Sequence, residues 1–298
     1  MVKEEILDGE ILVVPDVHGR TFWEQPVREA LNTGRYKKIV FLGDYLDPYP
    51  RENISFEQAW DNFQVILSCK MSFPDRVVLL LGNHDLHYIA DDLRGSRYDY
   101  DNAAKIWCTL SNNIKAFDMV WWCGDVPGPV IICSHAGINP RWLNRYLKDI
   151  GMKELGGGRT EFLDLIRGGL LNNPLHAGIT DGWVDPDKCQ SFINALSWVS
   201  NRRGGYHPVG SMIWNDILDW TWGDMIPGII QITGHTQAIK PIYLKGDGGS
   251  VYCLDVRKCF RVDVRSGSVC DLEGNPVMPM SKKVEERANQ SKSLASER

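Results

Sequence analysis

An α/β domain is the fold class the sequence predicts, and three observations carry it. Five apolar runs of strand length each close on a polar cluster: residues 11–14 before Asp16, 39–42 before Asp44, 77–81 before Asn83, 130–133 before His135 and 229–233 before His235. Between these runs apolar residues recur at helical spacing. A chain of 298 residues with 43% hydrophobic content can bury a substantial core. Strand exits are where open α/β sheets gather binding groups, and clusters spread from Asp16 to His235 require one domain to hold them all.

Taken in order, the first two runs read as buried strands, and residues 55–69 follow as a helix whose Phe56, Ala59, Trp60, Phe63, Ile66 and Leu67 form one apolar stripe. The third strand comes next, then a helix over 102–114. Residues 119–123 and 129–133 read as a hairpin turning through Gly124 to Gly128. Asn139-Pro140 starts a helix over 140–150. From 151 to 210 the pattern turns irregular, with Gly156-Gly157-Gly158 and helical pieces at 160–171 and 189–200. This insertion is either a cap that selects substrate or a packed helical decoration. Past His235, residues 250–256 and 258–264 alternate as strands about Arg257-Lys258 and are expected to close the second of two sheets. The expected domain is therefore residues 1–278. The polar stretch 279–298, nearly devoid of large apolar residues, reads as a disordered tail or an exposed helix.

The clusters themselves are Asp16-Val17-His18, Gly43-Asp44-Tyr45-Leu46-Asp47, Gly82-Asn83-His84-Asp85, Ser134-His135-Ala136-Gly137 and Gly234-His235-Thr236. Singly each is weak, because a lone His is more often a hydrogen-bonded core residue than a ligand. Jointly they offer carboxylate, imidazole and amide oxygen, the mixture that borderline divalent ions such as Mn, Fe or Zn accept. A carboxylate can bridge two such ions, and Asp44 is the natural bridge.

Over residues 11–236 this order of motifs resembles the calcineurin-like phosphoesterases, whose pattern is DxH, GDxxD, GNH[ED], a lone His and a final GH. Ser134 to Pro140 resembles the HGGLSP stretch of phosphoprotein phosphatases, and Ile213-Trp214-Asn215-Asp216 resembles their LWSD. The resemblance, closest to the bacterial-type protein Ser/Thr phosphatases, implies a two-sheet β sandwich flanked by helices, with a dimetal site at the strand ends. It further implies that Asp16, His18 and Asp44 hold one metal and that Asp44, Asn83, His135 and His235 hold the other. Hydrolysis would then proceed by attack of a metal-bound hydroxide, with no side-chain nucleophile. His84 would face the leaving-group oxygen as the catalytic residue, with Asp85 orienting its other ring nitrogen; for Asp85 the alternative is a helix cap or surface carboxylate. Asp47 would support the loop from behind the ligands.

Two departures from the relatives matter. Many read GDxVDRG, whereas Pro48 follows Asp47 here and no Arg lies between Trp214 and His235. Phosphate binding must then draw on other arginines: Arg203 first, with Arg202 and Arg20 behind it, while Arg51 and Arg141 are further candidates. For Arg202-Arg203-Gly204-Gly205 a helix C-terminus is an equal alternative. The chain also ends its last motif as Gly234-His235-Thr236-Gln237, lacking the second His of the GHxH ending found in nucleases and cyclic-nucleotide phosphodiesterases of the superfamily.

Net charge of −5 disfavours a dedicated nucleic-acid binder. Eight cysteines without a CxxC pair read as small buried hydrophobes in a reducing compartment. Residues 1–8 carry no secretory pattern, and no run approaches a membrane span, so no membrane partner and a cytoplasmic address are expected. The expectation is a metal-dependent enzyme, with Mn first and Fe or Zn as alternatives, hydrolysing phosphate monoesters of a phosphoprotein or a small phosphate ester. Hydrolysis of nucleotides or dinucleoside polyphosphates is the alternative, and a non-catalytic phosphate-binding protein is a further one.

Overall fold

The computed structural model describes residues 9–280 apart from 125–127, 181, 182, 185 and 247. The N-terminal octapeptide, the expected tail from 281 onward and the tip of the 119–133 hairpin lie outside them. Thirteen strands and eight α-helices follow one another in this described part: β1 (Glu10–Val14), α1 (Glu24–Thr33), β2 (Ile39–Phe41), α2 (Phe56–Ser72), β3 (Val77–Leu80), α3 (Asn83–Leu86), α4 (Ala103–Asn112), β4 (Phe117–Asp118), β5 (Val120–Gly124), β6 (Val130–Ser134), α5 (Pro140–Asp149), α6 (Arg159–Arg167), α7 (Asn173–Gly178), β7 (Ile179–Thr180), β8 (Trp183–Val184), α8 (Pro186–Leu196), β9 (Ile229–Thr233), β10 (Ile242–Lys245), β11 (Ser250–Cys253), β12 (Phe260–Asp263) and β13 (Val269–Asp271).

Two sheets carry the architecture. The first runs β13-β12-β1-β2-β3-β4, with β1 through β4 parallel; the second runs β10-β11-β9-β6-β5, with β11, β9 and β6 parallel. Parallel strands covered on both faces read as unbroken apolar runs, and the packing follows their period of two. Ile11, Val13, Val40, Leu42, Val78 and Leu80 meet Cys123, Ile131, Cys133 and Ile232 of the other sheet in one cluster. Their neighbours Leu12, Val14, Ile39, Phe41, Val77 and Leu79 join the opposite cluster with Val27 and Ala30 of α1 and Phe63 and Ile66 of α2. The α2 stripe follows the expected spacing, and its start is fixed by a capping box: Gln58 N donates to Ser55 Oγ and Ser55 N to Gln58 Oε1.

The end of the chain departs from expectation. Residues 250–253 do enter the second sheet beside β9, but 260–263 return to the first sheet, antiparallel to β1 with Val262 opposite Ile11. The two strands never pair; alternation fixed which residues are buried, whereas the sheet that receives a strand is a long-range choice. In the insertion, α6 and α8 overlap the expected pieces, each starting before them, and α7 lies between the two expected pieces. Phe162, Leu163, Ile166, Leu175, Phe192 and Leu196 pack with Trp142 and Tyr146 of α5. Asn172 fastens this unit to β5: its Oδ1 accepts from Met119 N (2.8 Å) and Val120 N (3.0 Å), and its Nδ2 donates to Val120 O (3.0 Å). Among the described residues no helix is long and apolar enough to cross a membrane.

Candidate metal centre

The five strand exits deliver their clusters to one place. Asp16 and His18 follow β1, Asp44 and Asp47 follow β2, Asn83 to Asp85 open α3 directly after β3, and His135 and His235 follow β6 and β9. Four of these residues hold backbone that L-amino acids rarely adopt: His18 (φ 47°), Asp44 (φ 52°), Asp47 (φ 57°) and His235 (φ 64°). Asp44 O pins the first loop by accepting from His18 N (2.7 Å) and Val17 N (3.1 Å). Two glycines are dictated by approach, because a Cβ on Gly82 would fall 2.1 Å from Asp44 Oδ1 and one on Gly234 1.9 Å from Asp16 Oδ1.

Asp16, His18 and Asp44 each place a donor atom within 4.8 Å of the others, and so do Asp44, His135 and His235. Their tautomers follow from their carbonyl partners, since a carbonyl oxygen only accepts. His18 Nδ1 donates to Leu46 O (2.9 Å) and His135 Nδ1 to Leu42 O (2.8 Å). The Nε2 atoms, left as the lone-pair nitrogens, lie 3.4 Å and 3.5 Å from Asp44 Oδ2. His135 Nε2 also faces Asn83 Oδ1 (3.0 Å) and His235 Nδ1 (3.2 Å), and His235 Nε2 is buried without any partner. Imidazole nitrogens, carboxylate oxygens and an amide oxygen gathered in a dry site form a seat for cations once their protons leave, and the backing carbonyls are the outer shell such ligands need. The donor set fits two divalent ions sharing Asp44.

The electrostatics agree. Burial is the main cause that pushes the Asp16 carboxyl up to about 6 and that of Asp44 up to about 8. Burial likewise holds the imidazoles of His18 and His235 well below their usual range. Neutral imidazoles beside carboxylates that are costly to ionise alone are what a bound cation would relieve.

The expected partner of His84 changes identity. His84 Nδ1 donates to Asp47 Oδ2 (2.8 Å), and Asp85 does not touch that ring. Asp85 instead accepts from Asp44 N (2.8 Å), Tyr45 N (3.0 Å) and Gly82 N (2.8 Å), clamping the two loops together. A residue following His84 directly on a helix points its carboxylate back at the helix start, which rules out a reach to the neighbouring ring. Asp47 also accepts from Tyr88 Oη, and His87 Nε2 lies 2.7 Å from Asp47 Oδ2, although not aligned as a hydrogen bond.

The arginines sort themselves by partner. Arg203 reaches the rim of the cluster, where Nη2 donates to His235 O (3.1 Å) and Thr236 Oγ1 (2.7 Å) and Nε lies 3.1 Å from Asp216 Oδ2. Arg202 pairs with Asp219, Arg20 with Glu52, and Arg141 with Asp224. His176 and His207 are elsewhere: the first donates to Phe117 O and the second stacks on Trp198. Two residues at the site went unsuspected. Asp255 is buried with Oδ1 unpartnered, its carboxyl pushed up to about 8 by burial and then by Asp16. Arg97 donates from Nη2 to His84 Nε2 (2.8 Å) and from Nη1 to Asp47 O, and stacks 3.9 Å from the centre of the Tyr49 ring. Nothing in the Ser96-Arg97-Tyr98 sequence announces a contact made across fifty positions of chain.

A family model described as calcineurin-like phosphoesterase matches residues 9–236. The serine/threonine-protein phosphatase PP2A-like PPG1 of Candida albicans is 27% identical over 218 residues, 72% of this chain and 44% of that protein. A probable serine/threonine-protein phosphatase of Encephalitozoon cuniculi is 40% identical over 80 residues, 26% of this chain and 15% of that one. The chain thus spans less than half the length of these curated relatives. Among solved structures, a protein serine/threonine phosphatase from Saccharomyces cerevisiae with similarity to human phosphatase PP5 is 13% identical, covering 86% of this chain and 73% of that one with a TM-score of 0.46.

Proposed function

The chain belongs to the calcineurin-like phosphoesterase family, and from that premise we propose that it is a metal-dependent phosphatase acting on phosphate monoesters, with phosphoserine and phosphothreonine residues as the substrate class. The similarity to protein Ser/Thr phosphatases supports the class. One observation supports the site above all: His18 and His135, each fixed through Nδ1–H to a backbone carbonyl, place Nε2 within 3.5 Å of the same oxygen of Asp44.

In this reading Asp16, His18 and Asp44 hold one divalent ion and Asp44, Asn83, His135 and His235 the other, with Mn first and Fe or Zn as alternatives. When bound, the pair supplies an activated water and offsets charge on the phosphoryl oxygens. The protein's own groups do the rest. Asp44 Oδ1 is fixed by His84 N–H (2.9 Å), and both oxygens of Asp16 by His235 N–H (2.9 and 3.0 Å), so neither carboxylate can turn away. Asp47 accepts the Nδ1–H of His84 and favours the doubly protonated ring, whose Nε2–H is then the proton given to the leaving-group oxygen. In this reading residues 1–278 are one catalytic domain that includes the α6–α8 unit.

The test is phosphate release by chelator-stripped protein resupplied with Mn, Fe, Zn or Mg. Its panel is phosphopeptides, small monoesters, nucleotides and dinucleoside polyphosphates. Turnover restored by metal and highest on phosphopeptides is the expected result. A preference for nucleotides would replace the substrate class, and silence with two metals bound would remove the enzymatic reading.

A further inference from the structure

We propose that Arg97 is the substrate-binding guanidinium of this site and that it occupies the leaving-group position itself until a phosphate ester arrives. The inference rests on the phosphatase reading above and adds to it a residue and a rearrangement.

Arg97 is half-buried, and among the described residues it has no carboxylate partner, whereas Arg20, Arg202, Arg203 and Arg141 each have one. Its polar contacts are instead Asp47 O and His84 Nε2, with the Tyr49 ring against its face. A guanidinium has only hydrogens to give, so His84 Nε2 accepts from Arg97 while Nδ1 donates to Asp47. A cation held half-dry by a neutral ring and a carbonyl is under-compensated; a phosphoryl group offers it two charged oxygens in the planar geometry of its fork.

Position makes this specific. The ring atom that Arg97 covers is the one that must meet the leaving-group oxygen, so Arg97 and the substrate cannot both hold it. Binding therefore exchanges His84 for phosphoryl oxygens as the partner of Arg97 Nη2 and frees His84 Nε2 for the ester. Arg97 has φ 62° on a short link between Leu93 and α4, and Gly95 in that link lies flush on Trp214, where a Cβ would come within 3.1 Å of the indole. Trp214 in turn packs edge-on against the His235 ring at 5.6 Å. The link is thus anchored at the metal centre while the guanidinium reaches over it.

Arg97→Ala and Arg97→Lys proteins, loaded with Mn, should be compared with wild type for binding of inorganic phosphate by calorimetry and for hydrolysis of p-nitrophenyl phosphate. Metal content and thermal midpoint are read alongside. Expected for Arg97→Ala is phosphate binding weaker by roughly tenfold or more, KM raised in step, and two metals retained. Arg97→Lys should recover part of the affinity, as a point charge without the fork. If Arg97→Ala lowers the thermal midpoint but binds phosphate like wild type, Arg97 is a pin for the Tyr49 loop and the proposal fails. Should the alanine variant not fold, unchanged phosphate affinity in Arg97→Lys and Arg97→Gln overturns it equally. Wild type that binds no phosphate also ends it. Wild type that binds phosphate through Arg97 but hydrolyses no ester removes the phosphatase reading and leaves Arg97 as a phosphate ligand.

Discussion

Two aspartates with similar surroundings do different work at this site, and the difference is readable from what each oxygen accepts. Asp85 gathers three backbone N–H groups from two loops, and burial followed by the neighbouring Asp44 pushes its carboxyl up to about 8. Asp47 receives side chains, from His84, Tyr88 and the approaching His87, and the imidazoles hold its carboxyl below the usual range against its own burial. Removing Asp85 strands three buried donors, so Asp85→Ala should lose about 1–3 kcal/mol of stability, and with it metal affinity. Asp47→Ala should leave the ligands in place and free the His84 ring, lowering kcat by about 10- to 100-fold with two metals still bound. Metal analysis beside kcat separates the two; loss of metal in Asp47→Ala would show that the Asp47 loop, rather than the ring, is what matters. Gly234→Ala is the sharpest steric test, since its methyl would enter the space of Asp16 Oδ1. Metal content below that of wild type is expected, and full occupancy would sink the close-approach account.

At the scale of elements, the insertion poses the open choice between cap and decoration, and Asn172 allows it to be tested. Its three bonds to Met119 and Val120 are a polar link of α6 to α8 with the edge at the start of β5. Asn172→Ala leaves Met119 N and Val120 N without that acceptor, so a drop in the thermal midpoint worth about 1–3 kcal/mol is expected with KM unchanged for p-nitrophenyl phosphate and phosphopeptide alike. A KM that rises for the peptide alone would make the unit a substrate cap. Elements such as α2, α5 and the parallel strands were legible because each is specified by local signals: Ser55 and Gln58 at a helix start, Asn139-Pro140 at another, and runs such as 77–81 that are apolar on both faces. Strand β12 was legible as a strand and not as a member of the first sheet, because its alternation says which side is buried and not against whom. The gathering of the six candidate ligand positions at the strand ends was legible through the motif order, whereas the different hydrogen-bond partners of Asp47 and Asp85, and the arrival of Arg97 from a link with no pattern, depend on how two loops cross in space.

For the molecule as a whole, the same concentration of buried carboxyls that seats cations makes the metal-free protein sensitive to pH in a direction that can be worked out. Asp44, Asp85 and Asp255 are raised from 3.8 to about 8, first by burial, so the folded chain holds protons that the unfolded chain has released. Stability from this source is complete below the unfolded value and is lost as pH rises through about 8. The imidazoles of His18 and His235, lowered by burial from 6.5, act oppositely: the unfolded chain takes up their protons below 6.5, so they cost stability only on the acid side. Between pH 6.5 and 8.5 the carboxyls therefore stand alone, and the thermal midpoint of chelator-treated protein should fall across that window. Divalent ions reverse the sign at Asp44, because ligation needs that carboxylate ionised and grows stronger as protons leave. Thermal unfolding at pH 6.5 and 8.5, with chelator and with Mn, should show two midpoints that diverge as pH rises. Parallel midpoints would mean that cations do not relieve the buried charge, and the two-ion reading of Asp16, His18, Asp44, Asn83, His135 and His235 would fall with it.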